Sequence, residues 1–262
     1  MQMRILLTND DGIGAPGLWA VAAELAKVGD VVVAAPGEER SGAGTSISLR
    51  KPIWVQEVTP QVDGVKAFSV SGTPADSAIL AMSCLFPGEF GLVVSGINRG
   101  SNLGHDVYVS GTVGAAMQGY LHNIPSLAVS MYAYVDIDYR TAAKTAGLIA
   151  QKVAEGALNG PVFLNVNSPN LGPDDVRGVD ITRISRKNYC DRIEKDYDAS
   201  GEYFLITRND ELEDALPGTD LWAVENGRVS ITPLPDQVVS EEFVLRLKAM
   251  VPDFEAGLRT SR

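Results

Sequence analysis

Residues 3–17 read MRILLTNDDGIGAPG and join a short apolar run to a loop of Asn, Asp and Gly. The run at 3–8 is almost continuously apolar, which is typical of a strand buried on both faces of a parallel sheet. Residues 15–28 then place five apolar side chains at helical spacing. This order predicts a strand, a loop and a helix, the first half of a βαβ unit.

The same alternation continues to about residue 173. Further strands are predicted at 30–36, 65–71, 90–95, 126–131 and 162–167, and helices from Pro74, over 112–123 and over about 139–156. Apolar strands separated by helices predict an α/β fold with a Rossmann-like, mostly parallel sheet covered by helices on both faces. We expect residues 1–173 to form this core.

Residues 174–262 have a different pattern. Short amphipathic strands are predicted at 179–185 and 203–208, and residues 220–235 contain two strand-like runs around Asn226-Gly227. Asn-Gly between such runs predicts a β-hairpin. We expect 174–262 to be a β-rich C-terminal extension rather than an independent core.

Composition excludes several classes of protein. The 262-residue chain has a formal net charge of −11, so it lacks the basic surface that polymeric nucleic acid requires. No segment has the roughly 18 apolar residues of a membrane span, and the N-terminal run is too short for a signal peptide. We expect a cytoplasmic protein with no membrane partner. Cys84 and Cys190 predict no disulfide framework or zinc site, and Cys84 is expected in the core.

The loops that follow the predicted strands are rich in Gly, Ser, Thr and Asn. They comprise residues 8–12, 36–46, 71–73, 96–104 and 110–112. Ligands of open parallel sheets bind beyond the carboxyl ends of the strands. Several of these loops are therefore expected to face one crevice.

Asp10 and Asp11 place two like charges side by side at the end of the first strand. A divalent cation relieves that repulsion, and oxygen ligands without His or Cys favour Mg²⁺ or Mn²⁺. The alternative is that one aspartate caps the next helix. Capping needs only one acidic residue, and the helix is predicted to begin a few residues later.

Gly12, Gly14 and Gly17 match G-x-G-x-x-G after a strand, which suggests a dinucleotide site and an NAD-dependent oxidoreductase as an alternative. The two preceding aspartates would repel a pyrophosphate there. Two further interpretations stay open. The helix start at 110–112 is either an anion site or an ordinary cap, and His105 either contacts the substrate or is a solvated loop residue.

Seven segments, in order, resemble the SurE family of stationary-phase survival proteins, which act as 5'/3'-nucleotidases. They are ILLTNDDGIGAPG (5–17), VVAAPGEERSGAGTSIS (32–48), VSGTPADS (70–77), LVVSGINRGSNLGHDVYVSGTVGAAMQG (92–119), IPSLAVS (124–130), LNVNSP (164–169) and GRVSITPL (227–234). The resemblance implies a Rossmann-like core, one divalent metal ion per subunit, and hydrolysis of nucleoside 5'-monophosphates to nucleoside and phosphate. It also implies activity on 3'-monophosphates and short polyphosphate.

The resemblance also assigns site residues. The metal ligands fall on Asp10, Asp11, Ser41 and Asn98, and we take Asp10, Asp11 and Asn98 as catalytic. The positions that line the family's phosphate site are Asn9, Gly42, Thr73, Asn102, Ser110, Gly111 and Thr112. Exchange of C-terminal segments in the family implies a homodimer or homotetramer. The competing class is a nucleotide-binding regulatory module with little catalysis.

Overall fold

The computed structural model describes residues 2–158, 160–186, 190–198, 201–209, 215–234 and 241–259. Eleven strands lie in these ranges: β1 Arg4–Thr8, β2 Asp30–Pro36, β3 Val55–Val58, β4 Lys66–Val70, β5 Phe90–Asn98, β6 Ser126–Tyr132, β7 Phe163–Pro169, β8 Val179–Ile181, β9 Cys190–Asp198, β10 Gly201–Asn209 and β11 Val229–Pro233.

Six α-helices lie in the same ranges: α1 Pro16–Leu25, α2 Pro74–Leu80, α3 Gly111–Leu121, α4 Arg140–Ala154, α5 Asp220–Glu225 and α6 Glu241–Arg259. A π-helical turn, Ala81–Leu85, continues α2, and a 3₁₀ helix, Gly104–Tyr108, precedes α3. No helix of the described ranges is long and apolar enough to cross a membrane.

Nine strands form one sheet in the order β3-β4-β2-β1-β5-β6-β7-β11-β8. The six strands from β4 to β7 are parallel, whereas β3 and β11 run antiparallel to β4 and β7. The predicted Rossmann-like, mostly parallel α/β fold is confirmed. From β1 the chain moves to β2 on one side and later returns to β5 on the other. The carboxyl ends of β1 and β5 therefore flank a topological switch point, where such sheets bind ligands.

Both faces of the central strands are buried, which explains their continuous apolar runs. Ile5 and Leu7 of β1 belong to a core that includes residues of α1 and α4 on one face. Leu6 points to the opposite face and packs in a cluster with Ala78 of α2 and with residues of the π-helical turn. Since successive side chains of a strand alternate between faces, β1 is anchored between two helical layers. The end of β1 is therefore held rigidly.

The hairpin predicted around Asn226-Gly227 is wrong. Residues 220–225 form α5, whose N-cap Thr219 accepts a hydrogen bond from the backbone N–H of Trp222. Gly227 has a φ of +70° just after the helix, and β11 follows as a single strand. Asn-Gly favours both hairpin turns and helix C-termini, because each needs a left-handed backbone. The predicted hairpin extends to Pro235, which lies outside the described residues.

The other predictions for the C-terminal region have mixed outcomes. The strand predicted at 179–185 is only β8, whereas the one predicted at 203–208 lies within β10, which pairs antiparallel with β9 in a separate two-stranded sheet. Strands β8 and β11 join the main sheet. Cys84 is exposed rather than in the core, because the buried residues of the π-helical turn are Ala81 and Met82.

Candidate active site at the carboxyl ends of β1 and β5

Asp10 lies directly against the N-terminus of α3. The carboxylate is 3% exposed, and its Oδ1 accepts a hydrogen bond from the Thr112 hydroxyl. A Cβ on Gly111 would lie 2.8 Å from Asp10 Oδ2, so glycine is needed for this close approach. The sequence thus brings an acidic strand end and a glycine-containing helix start into direct contact.

Burial makes the charged form of both aspartates costly. Burial raises the pKa of Asp10 to about 6, and the nearby charge of Asp11 adds to the rise, while the Thr112 hydrogen bond opposes it. Burial also raises the pKa of Asp11, although the backbone N–H of Arg99 donates to its Oδ2 at 2.9 Å and opposes the shift. A divalent cation would offset this cost, so the donor set fits one.

Asn98 is the last residue of β5 and lies at this edge of the sheet. Its Nδ2 donates to the carbonyl of Gly100 at 2.9 Å, so the side-chain oxygen is the atom left for a ligand. The next residue, Arg99, bonds Asp11 through its backbone. These bonds hold the end of β5 beside the end of β1.

Ser41 lies on the loop that follows β2. The backbone N–H of Arg40 donates to the carbonyl of Asp10 at 2.7 Å, which brings this loop to the end of β1. The Ser41 hydroxyl donates to Glu39 Oε1 at 2.7 Å, and its own oxygen remains able to accept or coordinate. Gly42 follows on the same exposed loop.

One further contact between loops completes the group. Thr73 caps α2, and its hydroxyl donates to the carbonyl of Ser46 at 2.7 Å. Together with the bonds that Arg40, Arg99 and Thr112 make to the aspartates, this links the loops that were predicted to share one crevice. Thr73 therefore has a capping role in addition to any role toward phosphate.

A metal ion bound by the two aspartates would need neutral oxygens as its other protein ligands. Among the described residues, no three His, Cys, Asp or Glu side chains converge as a metal site. The side-chain oxygen of Asn9 is buried with no hydrogen-bond partner, while its Nδ2 donates to the carbonyl of Gly12 at 2.8 Å. Two carboxylates with Ser and Asn oxygens are a hard donor set of the kind that Mg²⁺ and Mn²⁺ accept.

Three more residues predicted at the phosphate site are hydrogen-bonded within the protein. The Asn102 amide donates to Ser130 Oγ at 2.8 Å, and its backbone N–H donates to Asn167 Oδ1 at 2.9 Å. The Thr112 hydroxyl donates to Asp10, so it has no proton left for a phosphate oxygen. Ser110 caps α3 by accepting from the backbone N–H of Val113 at 3.2 Å.

Two of the three glycines in the G-x-G-x-x-G pattern are explained by the backbone and its packing. A Cβ on Gly17 would collide with the carbonyl oxygen of Ile97, so the glycine allows α1 to lie tightly on β5. Gly12 has a φ of +96° in the turn after β1. Both glycines are accounted for by backbone geometry without a dinucleotide.

Sequence reasoning missed Glu39. Its carboxylate accepts from the Ser41 hydroxyl, contacts the Arg99 guanidinium at 3.6 Å, and contributes to the raised pKa of Asp11. The acidic pair at 38–39 after the second strand was the available signal. His105, by contrast, is exposed on the 3₁₀ helix, with its ring 6.0 Å from that of Tyr108.

Comparisons with known proteins show similarity to one family. The family model described as "Survival protein SurE" matches residues 5–191. A protein of Dehalococcoides mccartyi (strain CBDB1) named 5'-nucleotidase SurE is 40% identical over 241 residues, 91% of each chain. One of Moorella thermoacetica with the same name is 44% identical over 233 residues, 88% of this chain and 90% of that one.

A solved structure is similar over nearly the whole fold. The crystal structure of the SurE protein from Aquifex aeolicus superposes with a TM-score of 0.76 at 35% sequence identity. The match covers 94% of this chain and 99% of that one. The chain therefore belongs to the SurE family.

Proposed function

We propose that this protein is a metal-dependent 5'-nucleotidase that hydrolyses nucleoside 5'-monophosphates to nucleoside and phosphate. The observation that carries the proposal is the contact between buried Asp10 and the N-terminus of α3 at the switch point of the sheet. It places a pair of carboxylates beside the backbone N–H groups of a helix start. Relatives named 5'-nucleotidase that match 91% of the chain support the same reaction.

A divalent ion held by Asp10, Asp11, Ser41 and Asn98 would supply positive charge that offsets the charge of the phosphate. The ligand atoms would be the carboxylate oxygens, the Ser41 hydroxyl oxygen and the Asn98 side-chain oxygen. Mg²⁺ and Mn²⁺ both suit such oxygens. Thr112 keeps the Asp10 carboxylate in one orientation for this purpose.

Phosphate binding is assigned to the first turn of α3 and its neighbours. The backbone N–H groups of Gly111 and Thr112 lie in that first turn, where α-helical N–H groups have no intrahelical partner. The N–H of Thr112 already bonds the Asp10 carboxylate, so the N–H of Gly111 is the first-turn donor proposed for an equatorial phosphate oxygen, with Thr112 lining the site. Asn9, Gly42, Thr73, Asn102 and Ser110 complete the proposed substrate contacts.

Water attack is the chemistry that the carboxylates favour. A water held by one of the two carboxylates would attack phosphorus in line with the departing ribose oxygen, while Asp11 Oδ2 keeps its bond from the backbone N–H of Arg99. The competing route forms an aspartyl-phosphate. Trapping a phosphoenzyme, or finding no solvent ¹⁸O in phosphate after one turnover, would establish that route instead.

The test is phosphate release from AMP and GMP with Mn²⁺ or Mg²⁺ and its loss with a chelator. Release confirms the enzyme, whereas binding without release would indicate a regulatory module. Binding of NAD in a titration would revive the dinucleotide alternative. Assays with 3'-AMP and tripolyphosphate test the proposed wider substrate range.

A homodimer or homotetramer is also proposed, with residues 1–173 as the catalytic core and 174–262 as the associating extension. In the described residues, β9 and β10 form a sheet of their own and expose Ile193, Phe204 and Ile206. A two-stranded sheet is marginally stable alone, so a second copy is the proposed cover. Light scattering of the wild type and of Ile206→Lys tests this, and the variant should have a lower mass than the wild-type oligomer. A monomer mass for the wild type, or the same oligomer mass for the variant, would contradict the proposal.

A further inference from the structure

Asp220, the first residue of α5, is a fully buried carboxylate that connects three segments of the chain. Its Oδ2 accepts from the backbone N–H of Gly104 at 2.9 Å. Its Oδ1 accepts from the backbone N–H groups of Ser185 and Leu221, both at 2.8 Å. Burying a carboxylate is costly unless it is fully hydrogen-bonded, so this arrangement is specific.

The bond to Gly104 reaches the candidate active site from behind. Gly104 begins the 3₁₀ helix, and that helix leads directly to Ser110, the N-cap of α3. The backbone N–H of Ser110 donates to the carbonyl of Asp106 at 3.1 Å, which couples the two helices. Two residues further along the chain, the Thr112 hydroxyl donates to Asp10. A continuous hydrogen-bonded path therefore runs from Asp220 to the aspartate pair.

Apolar packing strengthens the same junction. Leu103, next to Gly104, is 2% exposed and packs in a cluster with Leu221 and Val224 of α5. The backbone N–H of Asp220 also donates to the carbonyl of Arg183 at 3.0 Å. The C-terminal region thus holds the loop between β5 and α3 by both a carboxylate and a small apolar core.

We propose that Asp220 is a positioning residue for the active site. It fixes the start of the 3₁₀ helix and thereby sets the position of the α3 N-terminus relative to Asp10. This inference rests on the proposed function, because that function assigns phosphate binding to the start of α3. The C-terminal region then contributes to the geometry of the site without supplying a ligand.

Asp220→Asn breaks the connection selectively. The asparagine oxygen keeps the two bonds from Ser185 and Leu221 when its amide group faces the N–H of Gly104, and the opposite orientation would lose both. The orientation that abandons Gly104 is therefore favoured. Asp180→Asn is the matched control, since Asp180 on β8 pairs with Arg228 at 2.8 Å within the same C-terminal region.

The experiment uses the full-length protein and two readouts. Hydrogen exchange followed by mass spectrometry should show the segment 99–112 exchanging about tenfold faster in Asp220→Asn, with β1 and β5 unchanged. kcat/KM for AMP should fall about 10- to 100-fold, the scale expected for a misplaced binding group. Asp180→Asn should change neither.

Leu103→Ala provides a second variant that loosens the same junction from the loop side, and it decides the matter if Asp220→Asn does not fold. Wild-type exchange at 99–112 in the folded Asp220→Asn protein, or in Leu103→Ala where Asp220→Asn does not fold, would overturn the proposal. An equal rise in exchange at 99–112 and an equal fall in kcat/KM for Asp180→Asn would also overturn the proposal. If the wild type releases no phosphate from AMP, the proposed function fails, but hydrogen exchange still tests the connection.

Discussion

Replacing Thr112 with valine removes one hydroxyl at nearly constant shape and tests how the site depends on the orientation of Asp10. Thr112 is completely buried, so no solvent can replace the hydrogen bond that its hydroxyl donates to Asp10. A hydrogen bond to a charged group contributes about 1.5–3 kcal/mol. We expect Thr112→Val to lower the free energy of unfolding by that amount in urea titrations with chelator present.

The catalytic effect follows from the same bond. If the lost interaction is expressed in the transition state, about 1.5–3 kcal/mol corresponds to a drop of roughly 10- to 150-fold in kcat/KM for AMP. Thr112→Ser keeps the hydroxyl and should retain most of the activity. Steady-state rates over a range of Mn²⁺ concentrations separate weaker metal binding from slower turnover.

Thr145→Val is the matched control for stability alone. Thr145 is fully buried on α4, where its hydroxyl donates to the carbonyl of Thr141 at 2.8 Å, away from the aspartates. We expect a loss of about 0.5–1.5 kcal/mol in unfolding free energy and an unchanged kcat/KM. Wild-type kcat/KM in Thr112→Val, or an equal activity loss in Thr145→Val, would refute the reasoning.

Three further changes give distinct outcomes. Gly111→Ala places a Cβ 2.8 Å from Asp10 Oδ2, so activity should fall by at least tenfold while α3 remains folded by circular dichroism, and normal turnover would contradict the close approach. Asp11→Asn removes a proposed ligand, so phosphate release should fall by orders of magnitude; full activity with full metal dependence would dismiss that assignment. Burial tends to raise the pKa of Asp76, but hydrogen bonds that include the N–H of Thr73 outweigh it and hold the pKa below its ordinary value. Asp76→Ala should cost about 1–3 kcal/mol. Because the depressed pKa stabilises the folded state only above the unfolded value of about 4, the difference from wild type should be lost as pH falls through the folded pKa, and a pH-independent difference would count against it.

The C-terminal region shows where local signals were insufficient. Residues 220–227 combine strand-forming residues with Asn-Gly, and this local pattern fits a hairpin as well as a helix end. The choice depended on Thr219 capping α5 and on β11 pairing with β7, which is more than 60 residues away in sequence. Such long-range pairing leaves no periodic signature in the chain.

The hydrogen-bond partners of the candidate site residues also depend on the tertiary structure. The resemblance assigns Asn102 and Thr112 to the phosphate site, and the structure adds the bonds from their side chains to Ser130 and Asp10 inside the protein. The residue type shows whether a side chain can donate or accept a hydrogen bond. Its partner depends on which loop the fold places next to it. Glu39 was overlooked for the same reason, because its proximity to Ser41 and Arg99 arises only in the folded loops.

Continuous apolar runs and helical spacing were enough to establish a parallel α/β sheet, because burial on both faces leaves a direct imprint on each strand. The paired aspartates at the end of β1 were also evident in the sequence, because two like charges side by side at a strand end repel each other and favour a bound cation. Only the tertiary structure revealed that α3 reaches Asp10 and that buried Asp220 holds Gly104. Those contacts join residues about a hundred positions apart, and their geometry exists only once the helices have packed on the sheet.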